Sequence, residues 1–111
     1  MDEQPRDLDD LQQVVDAWIR AHGGYWERFQ ILARLTEELG EVAAALQRLE
    51  GLRPRPSDVD LAGEVGDLLF TLIAFANASG LRLEDCLTRV LRKYQIRDSD
   101  AWCQRQEPQP D

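Results

Sequence analysis

The sequence is poor in the residue types that build several common kinds of site. It contains one histidine, His22, and two cysteines, Cys86 and Cys103, which form no C-x-x-C pair and have no histidine close in sequence. The usual His-rich zinc sites are therefore excluded. Two isolated cysteines are typical of reduced thiols in a reducing compartment.

The sequence also lacks a long apolar run and an excess of positive charge. No apolar stretch approaches ~20 residues, and Met1 is followed by Asp2 and Glu3 instead of a basic and then an apolar segment. We therefore expect no membrane span, no signal peptide and a cytoplasmic location. The formal net charge is −8, which disfavours binding of nucleic acid through its phosphates. Such acidity usually serves solubility, but it also suits a protein that gathers carboxylates around divalent cations.

Patterns typical of strands are scarce, whereas helical patterns cover most of the 111 residues. Apolar residues recur at steps of three and four in four segments, near residues 7–21, 27–50, 58–79 and 83–96. Ser57 is the predicted N-cap of the third segment. We expect an all-α four-helix bundle over residues 7–103, with a flexible N-terminus at 1–6 and a disordered tail at 104–111.

Apolar stripes predict which helix faces are buried. The third helix is apolar over a wide arc, so we expect it to be the most buried. Gly40 and Gly66 lie inside helices, where each costs about 1 kcal/mol relative to Ala. A close approach of helices or a ligand would explain that cost. The second helix carries one unbroken seam, formed by Leu32, Leu35, Leu39, Val42, Leu46 and Leu49.

Two acidic pairs occupy matching positions on the second and third helices. With Leu39 and Val65 taken as heptad position a, each helix has acidic residues at positions g and c, three residues apart on one face. The four residues are Glu38, Glu41, Glu64 and Asp67. If the helices pack antiparallel, as a short link favours, these carboxylates converge.

Converging carboxylates repel one another unless cations or protons neutralise them. Oxygen ligands without His or Cys favour Mg²⁺, with Mn²⁺ able to substitute. Acidic pairs of this spacing are also common on solvated helices. However, no Lys or Arg stands four residues after Glu38 or Asp67, where the sequence has Val42 and Thr71. We therefore interpret the four acids as a cation site.

The fourth helix carries basic residues at four-residue steps, at Arg89, Lys93 and Arg97. Such cations either bind the phosphates of a substrate beside the metal site or interact favourably with the carboxyl end of the helix. Aromatic residues also lie near helix ends, at Trp18, Tyr25, Trp26 and Phe29. These could stack on a base, but aromatics in such positions more often belong to the core.

Together these segments resemble a known family. The stretches ARLTEELGE (33–41), EVGDLLF (64–70), Ala76-Asn77, RKY (92–94) and Arg97-Asp98 are similar to those of MazG-like nucleotide pyrophosphohydrolases, especially the short single-domain bacterial branch. The resemblance covers residues 7–103. It implies an all-α fold that assembles as dimers or dimers of dimers. It also implies Mg²⁺-dependent hydrolysis of nucleoside triphosphates, often deoxy or non-canonical, to the monophosphate and pyrophosphate, as in nucleotide-pool house-cleaning.

By matching position, the resemblance assigns roles to individual residues. It implies metal ligation by the four acids above, with Glu38 and Glu41 also catalytic. Glu37, at the edge of the acidic face, would orient water or a ligand carboxylate. Lys93 and Arg97 match positions that contact substrate and suit phosphate. Asn77 matches another such position, where it would either bind the nucleotide or make a buried polar contact between helices.

Several alternatives remain open at this point. The chain could be a non-catalytic helical bundle that binds nucleotides or metal as a sensor or partner module. It could act on a phosphoribosyl-nucleotide intermediate by the same chemistry, or serve only as a dimerisation module. A di-iron bundle is disfavoured because neither acidic pair has the Glu-x-x-His pattern.

Overall fold

The computed structural model describes residues 6–54 and 58–98, without the side chains of residues 97 and 98. These residues form four α-helices and no strand, which confirms the predicted all-α fold. Residues 1–5 and the predicted tail at 104–111 lie outside the described part. The helices are α1 (Leu8–Ala21), α2 (Arg28–Leu49), α3 (Leu61–Ala78) and α4 (Leu83–Lys93), and a short π-helical segment, Tyr94–Asp98, follows α4.

Side chains and glycines fix where the helices begin and end. Asp7 caps α1 by accepting a hydrogen bond from the Asp10 backbone N–H at 2.8 Å. Gly51 follows the end of α2 with φ +79°, a left-handed conformation that glycine adopts readily. The predicted start of the third helix was wrong. Asp60, not Ser57, caps α3 by accepting from the Gly63 N–H at 2.9 Å, so the helix begins at Leu61.

Helix α3 is the centre of the arrangement, because it packs against both α2 and α1. A small core forms where the three helices meet, around Ile19, Ile31 and Ala74. Helix α3 is apolar and 18 residues long, enough by length and composition to cross a membrane. Its contacts with α2 and α1, and the acidic residues Glu64 and Asp67 within it, indicate instead the central helix of a bundle.

Helix α4 is attached to α1 mainly through polar contacts. The buried side chain of Gln12 accepts a hydrogen bond from the Leu83 N–H at 2.7 Å, so α1 supplies a cap for the first turn of α4. Arg82, just before α4, pairs with Asp9 at 2.9 Å. No residue between Leu83 and Lys93 is fully buried. The protomer therefore holds α4 at its start and leaves most of its length exposed.

The buried line of α2 differs from the predicted leucine seam. It runs at seven-residue intervals through Ile31, Glu38 and Ala45, while Leu35, Val42 and Leu49 are half-buried. The remaining seam leucines are exposed. Helix α3 is likewise exposed on one side, although it has the largest buried share of the four described α-helices, four of its 18 residues, as its wide apolar arc predicts. Six exposed leucine and valine residues of these two helices form what we call the apolar face: Leu32, Leu39, Leu46, Val65, Leu69 and Leu72, each 38–57 % exposed.

The two glycines inside helices have no close neighbour in the protomer. A Cβ atom added at Gly40 or at Gly66 would meet nothing within 4 Å. Close packing of α2 against α3 therefore does not explain why these positions lack a side chain. The explanations that remain are a ligand or the close approach of helices from a second protomer.

Candidate active site

Three of the four predicted metal ligands meet where α2 packs against α3. Glu38 from α2, with Glu64 and Asp67 from α3, each offer one carboxylate oxygen within 4.8 Å of the others. We call these three residues the carboxylate cluster. Glu38 is only 6 % exposed because it belongs to the buried line of α2. The i, i+3 spacing of Glu64 and Asp67 places both on the side of α3 that meets Glu38.

The fourth predicted ligand, Glu41, is not a member of this group of three, but its charge acts on it. The pKa of Glu64 is raised above its ordinary 4.5, first by desolvation and then by repulsion from Glu41, Asp67, Glu38 and Asp60. Glu41 follows Glu38 by three residues and so lies on the same side of α2. Its role as a metal ligand stays a prediction.

The cluster suits a hard divalent cation. Its donors are carboxylate oxygens that differ in burial: Glu38 is buried, Glu64 half-buried and Asp67 exposed. Mg²⁺ prefers oxygen ligands and retains several waters, so a site with an open side satisfies it without a complete protein cage. A cation would also remove the mutual repulsion that raises the pKa of Glu64.

Arg34 is a partner of the cluster that the sequence analysis missed. Its guanidinium Nη2 atom forms an ion pair with Glu38 Oε1 at 2.9 Å, and its Nη1 atom donates a hydrogen bond to Glu37 Oε2 at 3.3 Å. The sequence has no cation four residues after Glu38, but Arg34 stands four residues before it, a spacing that also places two side chains on one helix face. Glu37 is therefore held beside Arg34, and its side chain is 66 % exposed.

A cavity of about 430 Å³ opens beside the cluster, between α1 and the α2–α3 pair. Arg34, Glu38 and Asp67 line its charged end. We call it the aromatic cavity, because its other walls include Trp18, His22, Tyr25, Trp26 and Phe70. The volume falls in the range of cavities that hold small molecules, which are typically apolar with a few polar groups.

The aromatic walls are arranged by contacts among themselves. Trp18 and His22, four residues apart on α1, stack with ring centroids 4.0 Å apart. Phe70 meets Trp18 edge-on at 5.6 Å. The His22 Nδ1 atom lies 2.7 Å from the Trp18 carbonyl oxygen, which fixes the ring against α1. A planar ligand could therefore lie against rings that are already in place.

The prediction that the aromatic residues belong to the core was wrong for most of them. Trp18, Trp26 and Phe29 are 53 %, 64 % and 78 % exposed, and the first two line the cavity. Tyr25 is the exception, since it packs on the core and also lines the cavity. Its hydroxyl donates a hydrogen bond to Asp16, and desolvation followed by this bond raises its pKa.

Asn77 connects α3 to α1. Its Oδ1 atom accepts from Gln12 Nε2 at 2.9 Å, and its Nδ2 atom donates to the Gln12 carbonyl at 3.1 Å. These contacts favour the second of its two predicted roles, a polar contact between helices, and its role in nucleotide binding stays a prediction.

The predicted phosphate-binding residues of α4 lie elsewhere. Lys93 lines an exposed groove of about 460 Å³ together with Arg89, Arg92 and other residues of α4, and this groove shares no lining residue with the aromatic cavity. The side chain of Arg97 lies outside the described residues. Within one protomer, the structure does not bring Lys93 to the wall of the cavity.

Comparison with known proteins agrees with this geometry. Residues 28–102 match the model of the MazG nucleotide pyrophosphohydrolase domain. YpjD of Bacillus subtilis, which is uncharacterised, is 36 % identical over 104 residues, with 90 % of this chain and 94 % of YpjD covered.

Two crystal structures share the fold. That of B. subtilis YpjD gives a TM-score of 0.75 at 35 % identity and covers 82 % of this chain and 97 % of its own. The structure of a Bacillus-conserved MazG protein, described as a nucleotide pyrophosphohydrolase, gives a TM-score of 0.73 at 34 % identity. The match covers 87 % of this chain and 98 % of that protein's chain. Helices α2 and α3, which carry the carboxylate cluster, fall within the matched domain, and the chain belongs to the MazG nucleotide pyrophosphohydrolase family.

Proposed function

We propose that the protein hydrolyses nucleoside triphosphates, including deoxy and non-canonical ones, to the monophosphate and pyrophosphate in a Mg²⁺-dependent reaction. The observation that supports this most is the junction of the carboxylate cluster with the aromatic cavity, which share Glu38 and Asp67. A nucleotide needs both parts, because its base is planar and apolar on its faces whereas its phosphates require cations.

In this proposal, different residues bind the metal and orient the attacking water. Glu38, Glu64 and Asp67 would hold the metal, with Glu41 as the further ligand. A bound Mg²⁺ would supply charge neutralisation at the phosphoryl oxygens and a more acidic water. Glu37, exposed beside Arg34, would orient the attacking water and accept its proton. These assignments need no covalent nucleophile.

The aromatic cavity takes the base in this proposal. Trp18 is exposed, and its ring is held by His22 stacked against it and by Phe70 edge-on, so a base would meet an aromatic surface that is already in place. The charged end of the cavity then faces the phosphates. Deoxy and ribo substrates, and different bases, would be distinguished within this cavity.

We further propose that the protein acts in the cytoplasm as a homodimer or homotetramer, in which the apolar face packs against a second copy. The six residues of that face carry no charge and lie along helices that already pack together. Burying a Leu or Val side chain fully contributes roughly 1.5–3 kcal/mol, so leaving six half-exposed is costly. Gly40 and Gly66 would then allow close approach of the partner's helices. Lys93 and Arg97 would reach phosphates in this assembly.

Light scattering after gel filtration tests the assembly. We expect wild type to have at least twice the protomer mass and Leu39→Glu to shift toward the monomer. Leu52→Glu, the same change at a residue 75 % exposed in the link between α2 and α3, is the matched control and should leave the mass unchanged. A monomeric wild type would contradict the proposal.

The activity test measures pyrophosphate release from ribo-, deoxyribo- and oxidised nucleoside triphosphates and from a phosphoribosyl-nucleotide, with Mg²⁺ and then with EDTA. We expect Mg²⁺-dependent release that falls at least 100-fold in Glu38→Gln and Glu41→Gln, as is common when a group essential to the transition state is lost. Glu50→Gln, an identical change at the exposed end of α2, should retain full activity.

Other outcomes identify the alternatives. Release confined to the phosphoribosyl-nucleotide would assign the same chemistry to a different substrate. Ligand-induced stabilisation without turnover, in folded and metal-loaded protein, would identify a binding module. If Glu38→Gln left both metal affinity and every activity unchanged, the carboxylate cluster would have no part in function.

A further inference from the structure

We propose that Arg34 is a phosphate-binding residue of this site, and that its ion pair with Glu38 is the resting state from which it turns to the substrate. This inference rests on the proposed function, because it assumes that a nucleoside triphosphate enters the aromatic cavity. It assigns a role to a residue that the acidic motif does not include.

The negative charge at one end of the cavity supports this role for Arg34. A triphosphate that enters the cavity must approach Glu38 and Asp67, which line its charged end. Such an approach is unfavourable unless a positive group faces the phosphates. Among the described residues that line the cavity, Arg34 is the one arginine or lysine. The basic residues of α4 line a separate groove.

The hydrogen-bond donors of the Arg34 guanidinium also support this role. A guanidinium group has five N–H donors. Within the described structure, Arg34 donates a hydrogen bond to Glu37 at 3.3 Å and forms an ion pair with Glu38 at 2.9 Å. At least three donors thus remain for a phosphate, and the planar fork of arginine matches two phosphate oxygens at once. The side chain is 53 % exposed, so it can turn without unpacking the core.

A divalent cation in the carboxylate cluster would weaken the ion pair between Arg34 and Glu38. Glu38 is a member of the carboxylate cluster, so a cation bound there would share this carboxylate with Arg34. Two positive groups on one carboxylate repel each other, and the guanidinium is the one free to move. Arg34 would then face the cavity, where the phosphates lie.

The competing explanation is structural. If Arg34 only holds the Glu38 carboxylate in place for the metal, its removal should weaken metal binding. If Arg34 binds phosphate, its removal should leave metal affinity unchanged or make it tighter, since a positive charge beside the cluster is lost. The direction of the change in metal affinity therefore separates the two roles.

The experiment compares wild type, Arg34→Ala, Arg34→Lys and the control Arg28→Ala, which removes an exposed arginine from the first turn of the same helix. The first measurement is the Kd of Mn²⁺ without nucleotide, by electron paramagnetic resonance. The second is the Kd, with Mg²⁺, of the α,β-methylene analogue of the triphosphate hydrolysed best. The third is the Kd of the corresponding nucleoside. Thermal unfolding checks that each variant is folded, since Arg34→Ala leaves the buried Glu38 carboxylate without this partner.

We expect Arg34→Ala to weaken binding of the triphosphate analogue by about 10- to 100-fold, the usual effect of losing hydrogen bonds between charged groups. Binding of the nucleoside and of Mn²⁺ should not weaken, Arg34→Lys should be intermediate, and Arg28→Ala should match wild type. Weaker Mn²⁺ binding by Arg34→Ala, or unchanged binding of the analogue, would overturn the inference. If wild type itself neither binds the analogue nor hydrolyses a triphosphate, the proposed function fails first.

Discussion

The side chain of Gln12 makes the contacts that hold three helices together, and its removal should be among the most destabilising polar substitutions in this protein. It is 6 % exposed. Its Nε2 atom donates to Asn77 Oδ1 at 2.9 Å and to the Leu81 carbonyl at 3.0 Å. Its Oε1 atom accepts from the Leu83 N–H at 2.7 Å. One side chain thus connects α1 to α3 and to the start of α4.

The magnitude follows from what Gln12→Ala leaves behind. Three polar groups lose their partner: the Asn77 amide oxygen, the Leu81 carbonyl and the Leu83 N–H. Each buried group without a partner costs about 1–3 kcal/mol, and these groups are only partly buried, so the lower figure applies. We therefore expect a loss of about 3 kcal/mol of unfolding free energy, which is a large part of a typical total of about 5–15 kcal/mol.

The assay is thermal and urea unfolding in metal-free buffer, followed by circular dichroism. A loss of this size should lower Tm by roughly 10–20 °C. Gln13→Ala is the control, since it makes the same change at the neighbouring exposed residue of α1. If Gln12→Ala lowers stability by less than about 1 kcal/mol, or by no more than Gln13→Ala does, the hydrogen bonds do not hold α4 in place.

Two further predictions concern the site. Because the pKa of Glu64 is raised above its ordinary 4.5, the folded protein keeps this proton to a higher pH than the unfolded chain, so the stability of metal-free protein should fall as pH rises from about 4.5 through the raised pKa. Unfolding measured against pH in EDTA should show this decline in wild type but not in Glu64→Gln, and equal slopes would contradict it. Trp18→Ala should raise KM for the best substrate about 5- to 100-fold with kcat little changed, because stacking on a base contributes about 1–3 kcal/mol. An unchanged KM would place the base elsewhere.

The sequence predicted helix number and approximate bounds because apolar periodicity and glycine punctuation are local signals. Gly51 stands where the pattern of α2 stops, and α2 ends there. The start of α3 was misplaced because two residues three positions apart, Ser57 and Asp60, can both cap a helix. Apolar periodicity does not distinguish these two caps, because the residue at which the helix begins depends on the path of the link after α2.

The carboxylate cluster was predictable because matched spacing on two helices that pack against each other brings equivalent positions together. Glu38, Glu64 and Asp67 meet as expected. The seam was less accurate, because a heptad pattern locates an apolar stripe without saying what covers it. In α2 the line through Glu38 turns toward the protomer interior, while Leu39 and its equivalents face outward.

The aromatic cavity could not be predicted, because its walls come from α1, α2, α3 and the link after α1. A tryptophan such as Trp18 shows the same periodicity whether it packs in a core or lines a cavity. The pairing of Trp18 with His22 at four-residue spacing was a usable signal, since stacked rings on an exposed helix face often serve a ligand. Arg34 was not predicted because an i, i+4 partner can stand on either side of a residue, and the interpretation of Glu38 rested on Val42 alone.

At position 38, the residue that the site needs is not the residue that would best stabilise the fold. The buried line of α2 places a carboxylate where Ile31 and Ala45 occupy the equivalent positions one heptad away. Burying a carboxylate is unfavourable unless it is paired, and its partner Arg34 is half-exposed and shared with Glu37. With Glu64 and Asp67 close by, the metal-free cluster has a deficit of positive charge. We therefore expect the affinity of the cluster for cations to derive from electrostatic repulsion that the fold maintains, and an apolar residue at position 38 to stabilise the helices while removing that affinity.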